Sequence, residues 1–120
     1  MGKAEVDLTS LKLPPQNIEA EQSILGGILI ENDALNRVLE VLEDKDFYRE
    51  AHQKIFQCMV ALYERNELLD IITLTNELKK KKELDEIGGA SYLANLVDSV
   101  PTAANIVYYA KIVKEKSILR

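Results

Sequence analysis

Apolar residues recur at three- and four-residue spacings along most of the chain, which is the period of a helix with one buried face. Capping residues, prolines or a glycine pair separate these stretches, so we predict six helices joined by short loops, an all-α compact bundle. The third helix, expected over residues 49–65, has the longest apolar stripe and is predicted to be the central core helix. The expected core positions are Ile18, Ile24, Leu25, Ile28, Leu29, Leu35, Val38, Leu39, Leu42, Ile55, Phe56, Met59, Leu62, Tyr63, Leu74, Leu78, Tyr92, Leu93, Leu96, Val97, Ile106, Tyr109, Ala110 and Val113.

The starts of these helices are predicted from residues whose side chains can accept hydrogen bonds from first-turn amides. Asn17 follows two prolines and precedes the first helix, and Asn32 or Asp33 precedes the second. Either Asp70 or Thr73 is expected to cap the fourth. For the last helix the expected cap is Thr102, directly after Pro101.

Two stretches leave alternatives open. The β-branched run "IITLT" at 71–75 could form a strand, but the spacing of Leu74 and Leu78 and the lack of a partner strand favour a helix. Gly26 and Gly27 lie inside the first predicted helix, where each glycine costs roughly 0.8–1 kcal/mol against alanine. We expect close approach of another backbone as the compensation, with a hinge or ligand role as the alternative.

The final stretch, "NIVYYAKIVKEKSILR", is helical in pattern but has apolar residues on two faces and no stop signal before the sequence ends. One face is expected to pack on the domain itself. It consists of Ile106, Tyr109, Ala110 and Val113. The opposite face is the predicted site of self-association with another helix. It consists of Tyr108, Ile112 and Leu119.

Composition limits the possible functions. A net charge of −5 over 120 residues lacks the basic footprint of a protein that holds a phosphate backbone by itself. One cysteine excludes an internal disulfide framework and suits a reducing compartment, so we expect a cytoplasmic protein. No apolar run approaches the roughly 20 residues of a membrane span. Residues 1–13 show no firm pattern and are predicted to be a flexible leader, with one helical domain at 14–120.

Candidate chemistry is weak, and we predict no catalytic, cofactor-binding or metal-binding residue. The phosphate-binding pattern Gly-x-x-x-x-Gly-Lys-Ser/Thr is absent from the sequence. His52 and Cys58 both lie on the apolar stripe of the third helix, where buried structural roles are expected, and the carboxylates are expected on helix surfaces. Lysines offer an alternative function, a small helical nucleic-acid-binding module. The candidates are Lys79, Lys80, Lys81, Lys82, Lys111 and Lys114, against the simpler interpretation of solvated charges.

Several stretches in order, "LPPQNIEAEQSILGGIL", "DFYREAHQKIF", "DIITLTNEL" and "IGGASYLANLVDSVPTAANIVYYAKIVKEKSILR", closely resemble the N-terminal domain of the bacterial replicative DNA helicase, the DnaB family. The resemblance runs from about Leu13 to Arg120. It implies an all-helical, non-catalytic domain that forms the collar of a ring-shaped hexamer and helps to dock primase and helicase-loading factors.

The same resemblance implies that the last helix continues into a helical hairpin, a linker and an ATP-hydrolysing motor domain. We therefore expect the chain to be a fragment cut inside its last helix, with the second apolar face meant for a hairpin partner or a neighbouring subunit. ATP and Mg²⁺ would belong to the motor domain of the parent protein. The implied partners are other copies of the chain, primase and a helicase loader, with DNA contacted only through the full-length hexamer and no membrane contact.

Overall fold

Six α-helices form the domain in the computed structural model, which describes residues 13–120. The predicted leader lies outside the described residues except for Leu13. Helices and short turns make up the regular structure, with no strand among residues 13–120, so the predicted all-α fold is confirmed. The helices are α1 (Ile18–Ile30), α2 (Ala34–Leu39), α3 (Glu50–Glu64), α4 (Ile71–Lys80), α5 (Gly89–Asp98) and α6 (Ile106–Leu119), with single 3₁₀ turns at Asp44–Asp46 and Asp85–Ile87.

Helix α1 lies at the centre of the domain, packed against α2, α3, α5 and α6. The prediction that the third helix is the central one was therefore wrong. The glycine pair explains the difference, because a Cβ at Gly26 would stand 2.2 Å from the carbonyl oxygen of Leu96. Glycine lets the backbones of α1 and α5 touch, so the predicted close approach at this pair is confirmed.

The second helix is shorter than its apolar pattern predicted. It ends at Leu39, whose side chain is 41% exposed, while Leu42 is buried from the turn beyond the helix. Asp33 occupies the N-cap position without a capping hydrogen bond from its side chain. Asn32 instead donates to the carbonyls of Ile28 and Leu69, and so joins the end of α1 to the segment before α4. Neither residue caps α2 as expected.

Helix α4 begins as the sequence indicated. The Asp70 carboxylate accepts from the Thr73 amide at 2.8 Å, and the Thr73 hydroxyl accepts from the Asp70 amide at 3.0 Å. This reciprocal capping holds the β-branched run in a helix, with Leu74 and Leu78 buried. The predicted helix at 71–75 is confirmed, because capping and burial outweigh local β-propensity.

The last helix starts three residues later than a cap at Thr102 would place it. The Thr102 hydroxyl accepts from the Ala104 amide, two residues on, and closes a small turn before α6. Asn105 holds the N-cap position of α6 without a side-chain hydrogen bond. The predicted Thr102 cap was wrong, because the preceding turn uses that hydroxyl.

Candidate partner-binding surfaces and buried polar clusters

The C-terminal half of α6 is fixed by a polar group that we call the Asp46 cluster: Asp46, Lys114, Ser117 and Arg120. The Ser117 hydroxyl donates to the Asp46 carboxylate at 2.7 Å, and Lys114 Nζ lies 3.2 Å from it. Arg120 donates to the main-chain carbonyls of Asp46 at 2.8 Å and Pro15 at 2.9 Å. The cluster therefore connects the end of α6 to the 44–46 turn and to Pro15, near the start of the described residues.

Asp46 is only 3% exposed, so its charge depends on these partners. Burial by itself raises the pKa of this carboxyl, but hydrogen bonds from the Glu43 amide, Ser117 and Lys114 outweigh it and hold the pKa below its ordinary value. The folded domain thus favours the ionised carboxylate. The expectation that carboxylates lie on helix surfaces was wrong here.

The two faces of α6 differ in exposure. Ile106, Ala110 and Val113 are buried against the core, and Tyr109 is half-buried, as expected for the inner face. On the outer face Tyr108 is 67% exposed and Leu119 is 63% exposed. Ile118, next to Leu119 in the sequence, is also exposed at 73%, although the sequence interpretation did not include it.

Ile112 is placed differently from Tyr108 and Leu119. It packs in part against the core and, with Tyr109, lines a hollow between α1 and α6. Ile112 is therefore half-buried, and its assignment to the self-association face stays a prediction. The exposed apolar set, which we call the α6 patch, consists of Tyr108, Ile118 and Leu119.

The candidate lysines lie in two groups, one at the end of α4 and one on α6. Lys79, Lys80, Lys81 and Lys82 are exposed at the C-terminal end of α4, where cations favour the helix dipole. Lys111 and Lys114 lie on α6 beside the apolar residues Val41, Ile118 and Leu119. Lys114 is already paired with Asp46, and the hollows lined by the two lysine groups share no residue.

His52 lies in a second buried polar cluster that the sequence interpretation only partly foresaw. The structural role expected for its fully buried ring agrees with its contacts: Nδ1 is 2.7 Å from a Glu21 carboxylate oxygen, and Nε2 is 2.6 Å from the Tyr92 hydroxyl. A carboxylate oxygen accepts, so Nδ1 donates to Glu21, while Nε2 forms its hydrogen bond with the Tyr92 hydroxyl.

Glu21 was expected only to favour the dipole of the first helical turn, and that interpretation was incomplete. Its carboxylate is 1% exposed and also accepts from the Tyr48 amide at 2.7 Å, just before α3. Arg49 at the N-cap of α3 makes no side-chain cap, so Glu21 supplies negative charge to that helix end from α1. The sequence did contain a signal, since Glu21 falls on the same helical stripe as Leu25 and Ile28.

Cys58 is fully buried, and this burial raises the pKa of its thiol to about 12. A thiol at neutral pH is a weak nucleophile, so the buried structural role expected for it is consistent with its surroundings. Over residues 13–120, no group of three or more His, Cys, Asp or Glu side chains is arranged to hold a metal ion. Within the same part of the chain, every helix is too short or too polar to cross a bilayer.

Comparison with known proteins gives consistent matches. A family model described as the DnaB-like helicase N-terminal domain matches residues 13–115. The replicative DNA helicase DnaC of Bacillus subtilis (strain 168) is 56% identical over 95% of this chain, and the replicative DNA helicase DnaB of Geobacillus stearothermophilus is 53% identical over 95%. The chain spans only 25% of the length of each.

Two solved structures share the fold. The N-terminal domain of DnaB helicase from Mycobacterium tuberculosis superposes with a TM-score of 0.87 at 51% identity, covering 90% of this chain and 77% of that one. The N-terminal domain of DnaB helicase from Helicobacter pylori, described together with its interactions with primase, gives a TM-score of 0.72 at 25% identity. That match covers 97% of this chain and 85% of the other.

Proposed function

The chain belongs to the family of DnaB-like helicase N-terminal domains, and from that membership we propose that it is the non-catalytic assembly domain of a replicative DNA helicase acting in the cytoplasm. In this role it forms the collar of the helicase ring at residues 14–120 and recruits primase and the helicase loader. ATP hydrolysis, with its Mg²⁺, belongs to the part of the relatives that this chain does not span. DNA contacts then come through the assembled full-length ring.

The α6 patch is the observation that carries this proposal. Three large apolar side chains on one helix are each more than 60% exposed, while the inner face of the same helix is buried. At about 25 cal/mol per Å² of apolar area, covering them with another helix contributes a few kcal/mol before the association cost. A binding free energy of this size is typical of weak self-association between single domains. In a ring of tethered subunits the effective concentration of the domains is higher, so the same contact would be stronger.

Primase recruitment rests on the Helicobacter pylori neighbour, which is described with its interactions with primase. Loader recruitment rests on family membership alone. The nucleic-acid-binding alternative has less support, because the net charge is −5 and the two lysine groups line separate hollows. Titration with single- and double-stranded DNA at low and high salt tests it, since phosphate contacts weaken steeply as salt rises.

Solution mass by light scattering over a range of protein concentrations tests the collar role. We expect a concentration-dependent rise in mass that Ile118→Glu and Leu119→Glu remove without a change in melting temperature. Ile72→Glu is the matched control, because Ile72 is 77% exposed but lies on α4. Val113→Glu, at a buried position, should instead melt the domain. A dimer that survives both patch variants would contradict the proposal.

A further inference from the structure

A second apolar surface lies between the α2–α3 connection and helix α3, and we call it the α3 groove. It encloses about 460 Å³ and is lined by Leu39, Leu42, Glu43, Asp44, Phe56, Gln57, Val60, Ala61 and Glu64. The α3 residues Gln57, Val60, Ala61 and Glu64 are spaced as one helical face. None of the lining residues belongs to the α6 patch, so the two surfaces are separate.

The charged residues that line the α3 groove are all acidic. Its lining residues include the three carboxylates of Glu43, Asp44 and Glu64 and no lysine, arginine or histidine. Lys45 stands at the edge, 3.7 Å from Glu43, but its side chain is 74% exposed and extends into solvent. Arg65, which follows Glu64 in the sequence, does not neutralise the charge of Glu64, because it pairs with other carboxylates.

Arg65 is already engaged on the other side of the helix end. Its guanidinium donates to Glu67 at 2.9 Å and to Glu77 at 3.0 Å. Both hydrogen bonds raise the pKa of the arginine further, and the Arg65 hydrogen bond lowers the pKa of Glu77. The acidic rim of the groove therefore keeps a net negative charge.

We propose that the α3 groove binds a short amphipathic helix of another protein, one with apolar residues on one face and lysine or arginine beside them. Leu39, Val60 and Ala61 contact the apolar face. Glu43 and Glu64 pair with the basic residues, since Asp44 already accepts a hydrogen bond from Gln57. From residue 56 to residue 64 helix α3 rises about 12 Å, which matches roughly two turns of a partner helix. Such a segment anchors through residues at i, i+3, i+4 and i+7.

The test uses two synthetic peptides of about 14 residues with leucines at i, i+3, i+4 and i+7. One carries lysines beside the leucine face and the other carries glutamates at the same positions. Binding is followed by fluorescence anisotropy, and the site is located by amide NMR shifts. We expect the lysine peptide to bind at the α3 groove, more weakly at high salt, and the glutamate peptide not to bind.

Charge reversal makes the test specific. The double variant Glu43→Lys with Glu64→Lys should weaken the lysine peptide by about tenfold or more and let the glutamate peptide bind, because rim charges set specificity. Glu115→Lys with Asp98→Lys, at two exposed positions outside the groove, makes the same change in net charge as a control and should change neither affinity. Leu39→Gln tests the apolar contact and should weaken binding without altering the charge.

The outcomes separate this proposal from the collar role. Equal binding of both peptides, shifts located away from the groove, or the same loss from the control variant Glu115→Lys with Asp98→Lys would overturn it. So would absence of binding at millimolar peptide. Ile118→Glu should leave peptide binding intact even where it abolishes self-association, so either idea can fail without the other. If residues 1–12 of the chain itself fill the groove, their deletion will be needed before any peptide binds, and the proposed external partner is then wrong.

Discussion

The Tyr92 hydroxyl lies 2.6 Å from Nε2 of His52, although the two residues are 40 positions apart in the sequence. Their rings also stack, with centroids 5.9 Å apart. Through the other ring nitrogen the same imidazole reaches Glu21, so one histidine connects α1, α3 and α5. Glu21 and His52 are both buried, so their hydrogen bonds contribute more than they would at the surface.

Removing the Tyr92 hydroxyl tests this connection. We expect Tyr92→Phe to destabilise the domain by about 1–3 kcal/mol, because His52 Nε2 is left buried without a partner. Urea unfolding measures the change in the free energy of unfolding. Tyr108→Phe removes a hydroxyl from a side chain that is 67% exposed and should have almost no effect. Equal losses in the two variants would show that the buried hydrogen bond is unimportant.

The two neighbouring glycines of α1 should respond differently to alanine. At Gly26 a Cβ would overlap the Leu96 carbonyl at 2.2 Å, and the backbones of α1 and α5 would have to separate. At Gly27 the nearest atom is the mobile end of the Ile106 side chain at 3.0 Å. We expect Gly26→Ala to cost about 1–3 kcal/mol or more. For Gly27→Ala the change should be small, because a gain in helix propensity of roughly 1 kcal/mol offsets the crowding. Thermal unfolding measures both changes: Gly26→Ala should lower the melting temperature clearly more than Gly27→Ala, and equal melting temperatures would contradict the prediction.

Acid should weaken the Asp46 cluster. The folded domain holds the pKa of Asp46 below its ordinary value of 3.8, so this group adds stability above the unfolded pKa. That contribution is lost as the pH falls through the folded pKa. Unfolding of the parent and of Asp46→Asn, measured between neutral pH and about pH 2, should show a gap that is constant above about pH 5 and closes in acid. Asp98→Asn controls for removing an exposed aspartate. A gap that persists unchanged at the lowest pH would contradict this assignment.

Cys58 should report on opening of the domain. Its thiol is buried and its pKa is raised to about 12, so a thiol reagent can react only when α3 is exposed. We expect labelling of the native domain at neutral pH to be slower than that of the urea-unfolded chain by a large factor, and Tyr92→Phe to accelerate it. Rapid labelling of the native parent, with no dependence on stability, would show that the thiol is accessible.

Local patterns in the sequence were enough to predict most of the fold. The helix at 71–75 followed from Leu74, Leu78 and the cap at Asp70, all within one short segment. The close packing at Gly26 also followed, because two glycines inside an apolar helix need a compensating contact. Errors arose where a polar side chain had two possible uses. Thr102 closes the turn before α6 instead of capping the helix. Asn32 donates to the carbonyl of Ile28 and to that of Leu69, which is 37 residues further along the chain.

The polar clusters were harder to predict because they are formed by tertiary packing. Glu21 and His52 are separated by 31 positions, and nothing local states that their helices meet side by side. Each nevertheless sits as one polar residue on an apolar stripe, and two such residues can satisfy each other only by pairing. The Asp46 cluster was harder still to predict from the sequence. Ser117 and Arg120 belong to a helix end whose direction is set by packing on α1.

Arg120 brings the two ends of the described chain side by side, because it donates to the Pro15 carbonyl while its guanidinium carbon lies 5.3 Å from the centre of the Tyr48 ring. A pulling force applied between residues 15 and 120 would therefore load this corner first. The Arg120 contacts, Ser117 and the Lys114 pair would have to give way before any apolar core contact carried tension. Helix α6 would then separate from the 44–46 turn and from α1 starting at its C-terminal end, which needs less force than sliding the two packed helices past each other.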